Sequence, residues 1–424
     1  MWAELAAELQ IQPWPPVPGV VFWSALMLVI GGALGELVFR LLALPRIVGY
    51  GAVGTLIVLA GHGLDSGRLT GTLRLVVDLG LGLLLFELGA RVNLRWLRAN
   101  PALLVTGLAE SGLSFAAVAL VLQAMGQDTA VALSCAALGV AASAATVGRV
   151  ATELRSAGQV TERMIVLTAL NTLLAVLLHK LVNSWLHLGH FRASLLPWDP
   201  GWVQSWTQGL VQPLYTLLGS LLLAAALARL LAWGVRRLDL RNENAVLLLL
   251  GLIVLALHGA QLLNLSTLLV PLIAGLLLRN AGPRPWVWPR HFGTAGGVLV
   301  LMLFIVVGSA WSLQALAAGG VLALALLACR GLAKAVAVVG LARWSGITWR
   351  QGGALSLALT PMSATTLVLL TDLHASHPLL APRVAPIALS AIAIMSVLGP
   401  VAVQLALRLA DECAAAPAPS PREG

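Results

Sequence analysis

Apolar runs of roughly the 20 residues a helix needs to cross a bilayer recur along this chain, with short polar connections between them. They fall at 18–43, 45–61, 72–91, 101–123, 129–153, 162–187, 209–233, 245–262, 264–279, 296–316, 318–343, 352–372 and 384–410. Each is predicted to be a membrane helix, because hydrocarbon offers a backbone no outside hydrogen-bond partner. One run departs from the pattern. Of the 26 Lys and Arg residues, 24 lie near segment ends, but Arg330 and Lys334 lie inside 318–343. Cutting that segment at Arg330 leaves two pieces too short to span, so it is read as a single helix with two buried cations. Each costs at least about 2.5–3.5 kcal/mol near the bilayer centre, and such residues commonly mark an ion or substrate path. Four residues apart, they share one helix face.

Composition supports the same class: 59% of residues are hydrophobic, 10% are charged, and the mean hydropathy is +0.92. A soluble domain is about 25% charged. The net charge of +9 is spread over short loops, so it reads as a topology signal rather than a surface for nucleic acid. Alternate loops hold 19 and 5 of the flanking cations. The positive-inside rule then puts the N-terminus outside and the C-terminus in the cytoplasm, which requires an odd number of spans. Residues 1–17 hold no Lys or Arg, so they read as an extracytoplasmic segment without the basic start of a signal peptide. The low-complexity residues 411–424 read as a disordered cytoplasmic tail. Cys135, Cys329 and Cys413 are far apart and suggest neither a disulfide framework nor a metal site. No GxxxxGK[ST], HExxH or GxSxG sequence occurs, so no enzyme chemistry or cofactor is expected.

Thirteen segments divide as six, one and six. The halves 18–187 and 245–410 start on opposite sides of the membrane, joined through 209–233. Inverted halves commonly build a transport site at the midplane from interrupted helices. Two segments in corresponding places look interrupted: 129–153, with ALGVAASAATVGRV, and 352–372, with LALTPMSATTLVLL. Breaks are expected near Ala142–Thr146 and Thr360–Ser363, crossing at mid-depth, with Ser143, Thr146, Thr360, Pro361 and Ser363 around them. Small residues in the first segment also suit close helix packing.

Glu110 lies about 15 Å into its segment by helix rise, near the midplane, and Asn171 with Thr172 lies at similar depth. Glu110 and the two cations of 318–343 occupy symmetry-related helices. They can form an ion pair that holds the halves together, or Glu110 can be an exchangeable carboxylate with Arg330 or Lys334 as its competing counter-charge. Both roles are compatible. Glu36 and Arg40 suggest a local pair, and His179 with Lys180 lies near the outer end of its segment.

Four stretches in this order, LALPRIVGYGAVGTLI, LGLLLFELGARVNLRWLR, LGVAASAATVGRV and CRGLAKAVAVVGLARWSGITWRQGGALSLAL, resemble the membrane domain of bacterial monovalent cation:proton antiporters. The resemblance covers about residues 20–410. It implies an all-α polytopic fold of about 13 transmembrane helices, an inverted repeat with two crossing discontinuous helices, a bacterial inner-membrane location and a homodimer. It also implies exchange of a monovalent cation, Na+ or K+, for protons by alternating access. In such proteins the sixth span carries an ion-binding Asp and the eleventh a basic residue facing it. Here the sixth span reads Asn171-Thr172, while Arg330 and Lys334 remain, and Glu110 is the midplane acid left to titrate. Transport of an anion or neutral solute, or a transport-inactive sensor, is therefore an alternative on the same scaffold.

Overall fold

The computed structural model describes residues 20–59, 74–190, 211–237, 243–281 and 292–413. The N-terminal segment 1–17 and most of the tail, 414–424, lie outside the described residues. Among those described, the regular structure is helical: α1 (Val20–Leu42), α2 (Arg46–Ile57), α3 (Arg74–Arg91), α4 (Leu94–Ala99), α5 (Pro101–Ala124), α6 (Thr129–Val140), α7 (Ala144–Glu153), α8 (Gln159–His190), α9 (Gln212–Arg237), α10 (Glu243–Leu262), α11 (Leu269–Asn280), α12 (Phe292–Gly308), α13 (Leu313–Gly340), α14 (Trp349–Ala358), α15 (Ala364–Ser376) and α16 (Ala381–Leu409). Within the described residues, each of the thirteen sequence segments overlaps helix. Among the described residues, seven stretches are long and apolar enough to cross a membrane, and four shorter apolar helices accompany them.

The tenth segment is shorter than expected. In place of 296–316, α12 ends at Gly308 and the next helix starts at Leu313. The boundary falls in GSAWSLQ, 308–314: Ser312 is extended, and its hydroxyl accepts from the Ala315 amide at 3.1 Å to cap α13.

One large apolar core runs through α2, α3, α5–α8 and α12–α16. A second joins Leu83 and Phe86 of α3 to Leu227 of α9, Ile253 of α10 and Val270 of α11. Two glycines mark close helix contacts. A β-carbon at Gly89 of α3 would collide with the Leu272 carbonyl of α11, and one at Gly54 of α2 would collide with the Ile305 carbonyl of α12. The second and third segments of the first half thus meet the tenth and ninth, a reciprocal pairing that an inverted repeat generates. Small residues supply the close backbone approach that helix association in lipid relies on. Gly89→Val is expected to lower stability by about 1–3 kcal/mol or more through overpacking, read as a lower thermal midpoint of the detergent-solubilised protein. An unchanged midpoint would show that this contact does not hold the layers.

At the far end of the chain, Asp411–Cys413 are placed. The Glu412 carboxylate accepts from the amides of Val160 and Thr161, both at 2.7 Å, and from the Thr161 hydroxyl at 2.8 Å. It satisfies donors that the first turn of α8 cannot pair internally, at the end where the helix dipole favours an anion. The tail expected to be disordered from residue 411 therefore begins with an anchored turn.

Candidate functional site at the helix crossing

Two helices break inside the bundle. α6 stops at Val140 and α7 starts at Ala144, while α14 stops at Ala358 and α15 starts at Ala364. The first break is Ala141–Ser143, slightly ahead of the expected Ala142–Thr146, because Thr146 already lies in the first turn of α7. Its amide donates to the Ser143 hydroxyl at 3.2 Å, so Ser143 acts as the helix cap. The second break spans 359–363, around Pro361, where the pyrrolidine lacks the amide a continuous helix would use. The two breaks touch: the Ser143 amide donates to the Pro361 carbonyl at 2.9 Å, and the hydroxyls of Ser143 and Ser363 share a hydrogen bond. Non-helical backbone at membrane depth is tolerated where protein covers it, and Ser143, Pro361 and Ser363 are buried.

Arg330 sits over this crossing, 1% exposed. Its Nε donates to the Gly139 carbonyl, Nη2 to Ala141 at 2.9 Å and Leu359 at 3.3 Å, and Nη1 to Thr360. These carbonyls belong to the C-terminal ends of α6 and α14, which have no intrahelical partners and carry the negative end of each helix dipole. A planar guanidinium with five donors suits two converging helix ends in a way an ammonium cannot.

Lys334, one turn further along α13, takes the carboxylate. Its Nζ donates to Glu110 Oε2, and both side chains are fully buried. Sequence left Arg330 and Lys334 as interchangeable partners of Glu110, and the structure separates their roles. Glu110 Oε1 has no hydrogen-bond partner. Beside it on α5, the Ser111 hydroxyl donates to Asn171 Oδ1 at 3.1 Å, while Asn171 Nδ2 has no partner. The Thr172 hydroxyl turns back to the Thr168 carbonyl at 2.9 Å. Gly107 lets α8 come close to α5 here, since a β-carbon would collide with Leu170. On α15, the buried hydroxyls of Thr365 and Thr366 also lack hydrogen-bond partners. Open polar atoms without partners inside an apolar bundle are costly and mark places where a water, ion or substrate is accommodated.

Sequence reading missed Ser111 and also Asp372, which lies 2.9 Å from His179 Nε2 and accepts from Lys180 Nζ at 2.8 Å. Ser111 is unremarkable beside Glu110 in the sequence. Asp372 was legible: it lies at the end of its segment, two helical turns past Thr365.

The fold and the centre define a polytopic membrane transporter with the inverted-repeat antiporter fold: two broken helices cross at mid-bundle beside a buried ion pair. The sequence profile of the family described as "Sodium/hydrogen exchanger, transmembrane" matches residues 25–409, so the chain belongs to that family and is not an enzyme. Two structures of the sodium proton antiporter MjNhaP1 from Methanocaldococcus jannaschii are similar in fold. The one at pH 8 has a TM-score of 0.62 at 16% identity, covering 92% of this chain and 95% of that one. The electron-microscopy structure has a TM-score of 0.69 at 15% identity, covering 93% and 99%. No curated protein matches this chain in sequence.

Proposed function

We propose that this protein exchanges a monovalent cation for protons by alternating access, with Glu110 and Lys334 as the coupling pair. The observation that carries the reading is the fully buried Lys334–Glu110 contact at the centre of a chain from this family. A cation entering beside Glu110 competes with the Lys334 ammonium for the carboxylate, and a proton competes with both. Each ligand thus displaces another at one charge centre, which is the requirement for exchange. The unpartnered Glu110 Oε1 and the partnered Asn171 Oδ1 supply oxygen ligands, and Thr172 lies one residue on. Arg330 is assigned to the helix crossing rather than to the cation. In this reading 18–187 and 245–410 are the repeats, 209–233 connects them, and thirteen crossings set the N-terminus outside a bacterial inner membrane. A homodimer is part of the same proposal.

A second reading, transport of an anion or neutral solute, draws on the charge of the centre: Arg330 and Lys334 stand against Glu110, with amide and hydroxyl at Asn171 and Thr172. Proteoliposome flux with an internal pH dye separates the two. Na+, K+ or Li+ gradients should drive proton movement in wild-type protein, and Asn171→Asp should change the ion preference or the coupling. Proton movement that follows anion gradients and ignores cations would replace the first reading with the second. Flux under neither gradient would leave a sensor or assembly role.

A further inference from the structure

A second ionisable cluster lies away from the centre, between α8 and α15. His179 Nε2 is 2.9 Å from Asp372 Oδ2, and Lys180 Nζ donates to the same oxygen at 2.8 Å. The His179 side chain is 1% exposed, that of Asp372 is 37% exposed, and His179 Nδ1 has no hydrogen-bond partner. Asn183 Nδ2 approaches His179 Nε2 at 3.2 Å, a contact that fits an Nε2–H donor if the amide is turned to present its oxygen. The neutral ring then donates through Nε2 to Asp372 and keeps a free lone pair at Nδ1.

The cluster continues the central site. On α8, Thr168, Thr172, Ala175 and His179 follow helical spacing of three and four residues, so they line one face. On α15, Thr365 and Asp372 are seven apart and share a face. His179 lies eight residues past Asn171, about 12 Å by helix rise, and Asp372 about 10 Å past Thr365. Both helices therefore leave the crossing along the same seam. They run toward the membrane face where α8 ends, opposite the end that Glu412 anchors. Elsewhere around this part of α8 the neighbours are apolar, including Phe115, Leu133 and Ala137 around Val182 and Leu186. Among the residues whose side chains are described, the charged and titratable groups at this end are Lys180 and Asp372, His374 (exposed) and His377 after α15, and the exposed Asp128–Arg383 pair joining the start of α6 to α16.

We propose that His179 with Asp372 is a second proton-carrying station, through which protons exchanged at the centre reach the membrane face where α8 ends. This rests on the transport reading above and adds its route. A proton arriving from that face binds Nδ1 of neutral His179, and Asp372 holds the resulting imidazolium. Release of the same proton into the seam toward Asn171 restores the neutral ring, with no net change in the station. Lys180 neutralises Asp372 between cycles and is a positioning residue. The partly exposed carboxylate marks the mouth of the route. A buried residue pair serving only to fasten two helices would not need the free ring nitrogen of His179.

The test varies pH separately on each side of oriented proteoliposomes. His179→Gln and Asp372→Asn should flatten the dependence of exchange on pH at the face where α8 ends and leave the opposite profile unchanged, whereas Lys180→Met, which removes the competing cation from Asp372, should shift the profile at that face to higher pH without flattening it. With Cys135→Ala, Cys329→Ala and Cys413→Ala as background, Ala175→Cys should react with a water-soluble cationic thiol reagent added at that face. Unchanged profiles in both His179→Gln and Asp372→Asn, or an inert Ala175→Cys, would overturn the route while leaving the central reading intact. Equal losses in all three variants, Lys180→Met included, would show a fastening role and also overturn it. If wild-type protein exchanges no cation for protons, the central reading fails, and an unreactive Ala175→Cys then rejects the seam as well. Reaction at Ala175→Cys in that case supports a wetted seam serving another solute.

Discussion

Arg330→Met should be among the most damaging single substitutions in this protein, with a loss of about 3–5 kcal/mol and poor recovery from the membrane. The guanidinium supplies hydrogen bonds to four carbonyls at the ends of α6 and α14, three of them in fully buried contacts. A buried polar group left without a partner costs about 1–3 kcal/mol, and methionine donates to none of them. Two negative helix ends would also face each other without a cation between them. Arg330→Lys should fall between wild type and Arg330→Met, because one ammonium has three donors and no planar fork. Thermal midpoints measured in the same detergent check the order. If Arg330→Met melts like wild type, the crossing is held by the Ser143–Pro361 and Ser143–Ser363 contacts alone.

Glu110→Gln is expected to abolish exchange, and it should also destabilise the protein, since Lys334 is then a buried cation without its carboxylate. Removing one partner of a buried ion pair typically costs about 3–5 kcal/mol, whereas replacing both with apolar or neutral groups of similar size is often close to neutral. The double variant Glu110→Gln with Lys334→Met should therefore recover most of the thermal midpoint and still show no cation-driven proton flux. That combination separates a coupling pair from a fastener. A fastener alone would predict that stability and transport return together. Cation-driven flux persisting in stable Glu110→Gln protein would move the coupling group elsewhere, because Asn171 and Thr172 offer no proton that titrates near neutrality.

Much of the fold is legible from hydropathy alone. Among the described residues, the apolar segments fall on helices, because burial in lipid forces each segment to satisfy its own backbone. The two breaks are visible as small residues around Ser143 and as Pro361 among hydroxyls, since a proline removes a helix bond wherever it lies. The local Glu36–Arg40 pair was also readable, and the side chains meet at 2.6 Å. The Gly308–Leu313 boundary lay inside the expected segment 296–316, because the polar dip in GSAWSLQ does not by itself say which serine caps the next helix.

Residue type and depth determined that Arg330, Lys334, Glu110 and Asn171 would be buried near one level. They did not determine who meets whom. Arg330 and Lys334 lie on one face of α13, four residues apart, and either could reach a carboxylate on a neighbouring helix. The tertiary structure decides it because α6 and α14 end under Arg330, and four unpaired carbonyls converge where no sequence pattern could bring them. The guanidinium goes to the carbonyls that match its geometry, and the ammonium one turn on is left for Glu110. His179 and Asp372 illustrate the same limit, being 193 residues apart and joined only where two helices leave the crossing along a common seam. Sequence fixes which groups must leave water, and packing fixes which partners receive them, since hydrophobicity is non-directional and hydrogen bonds are not.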